Sequence, residues 1–269
     1  MTARTLVPFD PDVVAPWSLG GGRRGVLLLH GFAGTPPELR RLGEHLADHG
    51  YLCRAPALAG HGTTPADLEV TTRHDWTRSA HDALDALAGE CEEVMVAGQS
   101  MGGAIALHLA ATDTRVRAVA TLAAPVWLSP LTNALIRVAF IIRRRWHRAG
   151  DDIDLFDPSG IEELYSYGLR PMRSIREFTR LLAEVRAELP QVRAPVLVMH
   201  GGRDRTIDPD NAREIERRLV CSAEVRRLLF PRSGHGMSVD VDREQINAAV
   251  LSWFDSHSIA GAAAAGAIA

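Results

Sequence analysis

Gly98-Gln99-Ser100-Met101-Gly102 follows the apolar, β-branched run at 94–97 and leads into a helical run at 101–111. This order places a serine at a sharp junction between a strand and a helix, which is the pattern of a nucleophile elbow. Strand and helix approach so closely in such a turn that side chains two residues either side of the serine would collide, which explains Gly98 and Gly102. The sequence therefore predicts that the Ser100 hydroxyl is held exposed above a sheet.

A serine hydroxyl is a poor nucleophile near neutral pH unless a base and an orienting carboxylate activate it, and the chain supplies candidates for both. Residues 196–199 predict a buried strand, and the glycine-containing turn after it presents Asp204. Residues 225–230 predict the next strand, and the loop after it offers His235. The chain order of nucleophile, acid and histidine separates the α/β-hydrolase arrangement from other serine-hydrolase folds.

Asp208 and Asp210 lie on the same turn as Asp204 and compete with it as the acid. Pro209 makes Asp208 a plausible cap for the helix predicted at 209–218. We therefore predict Asp204 as the acid.

A glycine-containing loop upstream, His30-Gly31-Phe32-Ala33-Gly34, follows the apolar strand predicted at 26–29. Acyl transfer passes through a tetrahedral intermediate with a negatively charged oxygen. Backbone N–H groups aimed at that oxygen are commonly the largest single contribution to catalysis. We assign the N–H groups of Phe32 and Met101 as these donors, so the two form the predicted oxyanion hole.

With these elements in place, the chain resembles the α/β-hydrolases, and within them the bacterial carboxylesterase and monoacylglycerol lipase group. The likeness is carried by His30-Gly31-Phe32-Ala33-Gly34-Thr35-Pro36-Pro37, Gly60-His61-Gly62, Gly98-Gln99-Ser100-Met101-Gly102-Gly103, Asp204 and Gly234-His235. The resemblance implies that Ser100 is the nucleophile, His235 the general base and Asp204 its orienting acid, with Phe32 and Met101 as oxyanion donors. It also implies substrates with short to medium acyl chains, including monoacylglycerols.

In the monoacylglycerol lipases a cap carboxylate contacts the glycerol. Glu162 and Glu163 are the carboxylates considered for that contact here. The central segment of this chain fits the pattern poorly, so neither residue is assigned to the site.

Predicted strands alternate with predicted helices along most of the chain. The strands fall at 26–29, 51–55, 94–97, 116–122, 196–199 and 225–230, and the helices at 38–48, 75–87, 101–111, 209–218 and 243–254. Such alternation predicts an α/β-hydrolase fold with a mostly parallel sheet and helices on both faces. In open sheets of this kind, ligands bind at the carboxyl ends of the strands, where Ser100, Asp204 and His235 all fall.

A central segment between Pro125 and Pro190 interrupts this alternation, because it is helical in pattern and has no predicted strand. We interpret it as an inserted helical cap at 126–190, between core segments at 1–125 and 191–257, with a flexible tail at 258–269. The cap is apolar and aromatic, which favours a lipophilic acyl chain as the part of the substrate that it covers. Its charge run at 143–148 offers weak contact with an anionic membrane surface, although a solvated face is the preferred interpretation.

Composition narrows the class of protein further. The 269 residues carry a formal net charge of −3, so the chain lacks the cationic footprint of a nucleic-acid-binding protein. No stretch is long and apolar enough to span a bilayer, and the first residues have no leader-like pattern. Three scattered cysteines, Cys53, Cys91 and Cys221, fit a reducing environment, so we expect a cytoplasmic protein.

The remaining histidines and glycines do not indicate a metal or a cofactor. There is no His-Glu-x-x-His and no Cys-x-x-Cys, so no metal is expected. Gly20-Gly21-Gly22 has no lysine-serine pair after it and is predicted to be a hairpin turn or linker. His30 is predicted to brace the glycine loop, His61 to lie in a turn near the pocket rim, and His200 to be structural.

The sequence therefore predicts a serine hydrolase that cleaves carboxylic esters through an acyl-enzyme, with an ester substrate and water as reactants and no cofactor. A thioesterase, an amidase or a C–C bond hydrolase would use the same triad and differ in pocket shape. The other alternative is a ligand-binding homologue that does not turn over substrate. The fold alone does not exclude it, because one fold can serve several functions. Ser100 disfavours the dehalogenase and epoxide-hydrolase branches, which have an aspartate in its place.

Overall fold

The structure is a computed structural model that describes residues 10–129, 132–134, 136, 145–147, 154–259 and 261. Three regions singled out in the sequence lie partly outside these residues. They are the predicted cap at 126–190, the charge run at 143–148 and the predicted tail at 258–269.

The strands form a large sheet and a small one. They are β1 (Trp17–Gly20), β2 (Arg24–Leu29), β3 (Tyr51–Ala55), β4 (Glu93–Gln99), β5 (Val116–Leu122), β6 (Arg145–His147), β7 (Leu169–Pro171), β8 (Val196–Gly201) and β9 (Val225–Phe230). Within the described residues, the large sheet has seven strands in the order β1-β3-β2-β4-β5-β8-β9. Strand β1 runs antiparallel to β3, and the other neighbouring pairs are parallel. The predicted mostly parallel sheet is confirmed.

The helices that connect these strands cover both faces of the sheet. They are α1 (Pro11–Val14), α2 (Arg40–Ala47), α3 (Pro65–Val70), α4 (Arg73–Glu90), α5 (Met101–Thr112), α6 (Met172–Glu188), α7 (Asp210–Arg218) and α8 (Arg243–His257). Short 3-10 helices lie at Pro36–Leu39, Pro158–Glu163, Leu189–Gln191 and Met237–Val239. Among the helices in the described ranges, none combines the length and the apolar character needed to cross a membrane.

Alternate side chains of β2 enter two different hydrophobic cores. Leu27 and Leu29 pack in a cluster with side chains of α4, α5 and α6, whereas Val26 and Leu28 pack in a cluster with side chains of α2 and α8. This is the period of two expected for a strand buried on both faces. The central strands are thereby fixed, and so are the loops at their carboxyl ends.

Two local features differ from the sequence-based prediction, and of the two alternatives for the glycines at 20–22 the linker is confirmed. The predicted helix at 38–48 begins as the 3-10 turn Pro36–Leu39, and its α-helical part starts at Arg40. The glycines at 20–22 link β1 to β2 without forming a hairpin, because β3 lies between these strands in the sheet. The interpretation that the central segment has no strand is wrong, since β6 and β7 pair within it.

Helix α6 lies inside the range predicted as cap and packs against α5. Its apolar side chains Phe178, Leu181, Leu182 and Val185 belong to the same buried cluster as the apolar side chains of α5. This end of the central segment is therefore anchored to the core.

Candidate active site

Ser100 occupies the turn between β4 and α5, as the elbow pattern predicts. Its φ is +54°, a left-handed conformation that is costly for a residue other than glycine. A Cβ on Gly98 would lie 2.3 Å from the Gly102 carbonyl, and a Cβ on Gly102 would lie 1.9 Å from the Leu29 carbonyl oxygen. Both positions therefore require glycine, which confirms the mechanical reason inferred from the sequence.

The imidazole of His235 lies between Ser100 and Asp204. His235 Nε2 is 3.0 Å from Ser100 Oγ, and His235 Nδ1 is 2.8 Å from Asp204 Oδ2. Because an ionised carboxylate can only accept hydrogen bonds, Nδ1 carries the ring proton and Nε2 is left to accept the proton of the serine hydroxyl. The structure thus brings the three candidate residues into one hydrogen-bonded chain with a geometry that can activate Ser100.

Asp204 is fully buried and accepts four hydrogen bonds. Its Oδ1 accepts the amides of Thr206 at 2.9 Å and Ile207 at 2.8 Å. Its Oδ2 accepts from His235 and also lies 3.0 Å from Nε2 of His200. Burial alone would raise the pKa of Asp204. The charge of His235 and the hydrogen bonds outweigh burial, so the pKa lies well below its usual value. Asp204 is therefore ionised at neutral pH.

Asp208, the competing acid, contacts the helix that follows it. Its Oδ1 accepts the amide of Asp210 at 3.0 Å, at the start of α7. The N-cap of α7 is Pro209 and has no side-chain cap, so Asp208 contacts the helix start without occupying the cap position that the sequence suggested. The structure places Asp204, and not Asp208, against His235.

The loop at 31–34 passes beside Ser100 and is held by its neighbours. His30 Nδ1 lies 2.9 Å from the Gly31 oxygen, and the Leu58 amide donates to His30 Nε2 at 3.1 Å, so Nδ1 carries the ring proton. Glu38 Oε1 accepts the amide of Gly31. Burial lowers the pKa of His30 to about 4, although its hydrogen bond to Gly31 acts in the opposite direction. His30 is thus a neutral side chain that contacts the loop as a brace would.

The two predicted oxyanion donors adjoin Ser100 on different elements. The ring of Phe32 stacks on Phe178 with 5.2 Å between ring centroids and meets Trp76 edge-on at 5.8 Å. Met101 is the first residue of α5, where N–H groups have no acceptor within the helix and the helix dipole favours negative charge. The Phe32 side chain is therefore held by ring packing, and Met101 is held at the start of α5.

A cavity of about 350 Å³ is lined by Ser100 and His235 together with mainly apolar side chains. The apolar part of the wall includes Phe32, Leu128, Leu164, Met172, Ile175 and Phe178. A cavity of this size and lining suits a small or medium organic ligand. His61, expected at the rim, does not line this cavity: it is buried beside the rings of His30 and Phe32.

Asp154 is a buried residue of the cavity wall that the sequence-based prediction missed. Its Oδ2 accepts the amides of Arg205 at 2.5 Å and Thr206 at 3.2 Å, and its carbonyl oxygen accepts the His235 amide at 3.0 Å. It thus ties together the loops that carry the acid and the histidine. No pattern in the sequence connects Asp154 with Arg205, which is 51 positions further along the chain.

Glu163 is one of the two carboxylates considered for contact with the alcohol part of the substrate. It forms an ion pair with Arg41 on α2. Nε of Arg41 lies 2.7 Å from each of its carboxylate oxygens. Glu163 is not among the residues that line the cavity. The carboxyl group that does line the cavity beside the loop at 31–34 is Glu38, which the sequence-based prediction also missed.

The fold and this arrangement of side chains define an α/β-hydrolase with a serine at its elbow. The model of the family described as serine aminopeptidase, S33, matches residues 22–242. The chain belongs to this family.

Relatives of known activity are similar over nearly the whole chain. The thermostable monoacylglycerol lipase of Bacillus sp. (strain H-257) is 32% identical over 243 residues, covering 90% of this chain and 95% of the relative. The carboxylesterase of Bacillus subtilis (strain 168) is 26% identical over 244 residues, covering 89% and 96%. A solved structure from work on the metagenome-derived lipolytic enzymes LipS and LipT has a TM-score of 0.83 at 28% identity, covering 91% and 98%. The protein is an ester hydrolase of the lipase and esterase type.

Proposed function

We propose that this protein hydrolyses carboxylic esters with short to medium acyl chains, monoacylglycerols among them, through an acyl-enzyme on Ser100. The observation that carries the proposal is the position of His235, whose ring nitrogens lie 3.0 Å from Ser100 Oγ and 2.8 Å from Asp204 Oδ2 beside an apolar cavity. The substrate named for one relative, the Bacillus lipase, supports monoacylglycerols as candidates.

In the first half of the proposed reaction, Ser100 Oγ attacks the carbonyl carbon of the ester while His235 Nε2 takes the serine proton. The carbonyl oxygen becomes an oxyanion, which the N–H groups of Phe32 and Met101 bind. Asp204 stabilises the imidazolium. When the bond to the alcohol breaks, His235 returns the proton to the leaving oxygen, and the acyl group stays on Ser100.

In the second half, a water molecule replaces the alcohol. His235 takes a proton from water, and the oxygen attacks the acyl carbon to form a second tetrahedral intermediate at the same oxyanion hole. Collapse of this intermediate releases the carboxylic acid. The proton held by His235 returns to Ser100 Oγ, so the enzyme is regenerated.

Substitution of the triad tests the mechanism. We expect Ser100→Ala and His235→Ala each to lower kcat for a p-nitrophenyl ester by roughly a millionfold, because nucleophile and base act as a unit. A fluorophosphonate probe should label the wild type and leave Ser100→Ala unlabelled. Circular dichroism and thermal unfolding of each variant serve as the control for folding. Normal turnover by Ser100→Ala would exclude the proposed mechanism.

A substrate panel separates ester hydrolysis from the alternatives that share the triad. The wild type is assayed with a p-nitrophenyl ester, a monoacylglycerol, an acyl thioester and an anilide of the same acyl chain. We expect the highest kcat/KM for an oxygen ester. A tenfold preference for the thioester or the anilide would favour a thioesterase or an amidase, and binding without turnover of any of the four would favour a ligand-binding homologue.

A further inference from the structure

Glu38 is a buried acid beside the nucleophile for which the proposed mechanism has no use. It lies in the 3-10 helix Pro36–Leu39, is 6% exposed and lines the same cavity as Ser100. Burying a carboxyl group is costly unless it is hydrogen-bonded and, if ionised, paired with an opposite charge. The contacts of the Glu38 carboxyl therefore indicate what offsets the cost of its burial.

The Glu38 carboxyl is enclosed by the loop at 31–34. Its Oε1 accepts the amide of Gly31. A Cβ on Gly34 would lie 2.5 Å from its Oε2, so the absence of a side chain at position 34 leaves the space that the carboxyl occupies. A Cβ on Gly31 would lie 3.4 Å from both Glu38 Oε1 and Ser100 Cβ. The carboxyl thus binds the Gly31 backbone, and the space beside Gly31 is bounded by both this carboxyl and Ser100.

Three contacts hold the two peptide planes that meet at Gly31. The plane before it is held by Glu38 through the Gly31 amide, and the plane after it is held by His30 and by the Gly34 amide, both directed at the Gly31 oxygen at 2.9 and 3.0 Å. In a trans peptide, the N–H points away from the C=O. The Phe32 N–H therefore points away from His30 and from the Gly34 amide. A glycine has the freest backbone of any residue, so the direction of the Phe32 N–H depends on the contacts that Glu38, His30 and Gly34 make with Gly31.

We propose that Glu38 is a positioning residue of the oxyanion hole, and that its neutral carboxyl, by holding the Gly31 amide, aims the Phe32 N–H at the reacting carbonyl. The proposal rests on the proposed function, because it concerns how one of the proposed donors is directed. The neutral form is required since an ionised carboxyl at this place would repel the developing oxyanion.

The surroundings of Glu38 are consistent with a neutral carboxyl. Burial raises its pKa to about 8, and the hydrogen bond from Gly31 only partly offsets this rise. Other titratable groups of the cavity wall are Asp154, Tyr165, Arg170 and His235. On the elements next to the turn, Asp12 belongs to α1, while Arg40 and Arg41 at the start of α2 bind Glu44 and Glu163. These two arginines therefore already have carboxylate partners.

The test compares Glu38→Gln and Glu38→Ala with the wild type between pH 6 and 10. In Glu38→Gln, the amide oxygen still accepts from Gly31 and no charge forms, so we expect wild-type kcat at pH 7. For the wild type we expect kcat to decline as pH rises through the Glu38 pKa of about 8, and we expect Glu38→Gln to lack this decline. Glu38→Ala should lower kcat by between tenfold and about a hundredfold, approaching the loss of one oxyanion donor, with little change in KM.

Two further measurements keep the inference testable if Glu38→Ala fails to fold. Glu44→Gln, an exposed acid on α2 paired with Arg40, is the matched control and should follow the wild-type pH profile. Thermal unfolding adds a second readout. The pKa of Glu38 is raised from 4.5 to about 8 in the folded state, so the folded protein binds more protons than the unfolded chain between these values. Wild-type stability should therefore fall, relative to Glu38→Gln, as pH rises from 5 to 8.

The outcomes for this inference and for the proposed function are distinguishable. Labelling of Ser100 by a fluorophosphonate probe, followed against pH, reports on the oxyanion hole without an ester. A wild type that labels but hydrolyses no ester contradicts the proposed function alone. A Glu38→Gln variant with the wild-type alkaline decline, or a Glu38→Ala variant that labels and turns over at wild-type rates, overturns the inference about Glu38.

Discussion

At the scale of single residues, the site depends on the hydrogen bonds of Asp204, which decide which ring nitrogen of His235 carries its proton. Asp204 Oδ2 faces ring nitrogens of both His235 and His200, and its Oδ1 faces two backbone amides. The four contacts leave the carboxylate one orientation. That orientation fixes the tautomer of His235 and leaves its Nε2 available to Ser100.

Asp204→Asn should lower kcat on the order of a thousandfold or more, because an amide cannot hold His235 in the required tautomer or stabilise its imidazolium. Asp208→Asn is the matched control, since Asp208 lies on the same turn and accepts the Asp210 amide at the start of α7. It should cost at most about 1 kcal/mol of unfolding free energy and leave kcat near the wild-type value. Steady-state kinetics and chemical denaturation of both variants check this. Kinetic damage that followed Asp208 instead would refute the assignment of Asp204.

At the scale of elements, the elbow is the place where the backbones of β4, α5 and β2 approach one another closely. The alternation of strands and helices could be predicted from the sequence because apolar periodicity and glycine turns are local signals. The elbow, the acid turn and the histidine loop could be located because each directly follows a strand. Their order along the chain is itself diagnostic of the arrangement.

The contacts of Glu38 and Asp154 could not be predicted in this way. Glu38 follows two prolines at the start of a helix, a place where an acid is ordinary and usually solvated. Asp154 contacts Arg205, 51 positions further along the chain, and His235, 81 positions further along. Such contacts depend on tertiary packing, which no local periodicity encodes.

Gly102→Ala should lower the free energy of unfolding by about 1–3 kcal/mol or more. The alanine Cβ would lie 1.9 Å from the Leu29 carbonyl oxygen, so the backbone of the elbow must shift. The matched control is Gly89→Ala on α4, where a Cβ meets nothing within 4 Å. This exposed helical position should gain up to about 1 kcal/mol from the better helix propensity of alanine. Denaturant titration of both variants measures the difference. Equal stabilities would show that the elbow tolerates a side chain.

At the scale of the whole molecule, the segment at 154–171 is part of the active-site scaffold as well as of the cavity wall. The Tyr167 amide donates to the Ala33 oxygen at 3.0 Å, and Thr35 Oγ1 donates to the Tyr165 oxygen at 3.0 Å, so this segment holds the loop at 31–34. Asp154 holds the loops that carry Asp204 and His235. Removal of the whole central segment would therefore disturb the triad itself, and a substitution in the cavity wall is the better probe of acyl binding.

The last prediction concerns the acyl chain, which we expect to lie along the apolar wall formed by Leu164, Met172, Ile175 and Phe178. Each buried CH₂ should contribute up to about 0.8 kcal/mol, or about fourfold in kcat/KM, until the cavity is full, after which kcat/KM should fall. Ile175→Phe narrows the cavity and should move the optimum of a p-nitrophenyl ester series to a shorter chain while leaving acetate hydrolysis unchanged. Arg173→Ala, an exposed position on α6 outside the cavity wall, should keep the wild-type optimum. If Ile175→Phe leaves the optimum in place, the acyl group does not bind along this wall. If the wild-type profile is itself flat, the expected preference for lipophilic esters is wrong as well.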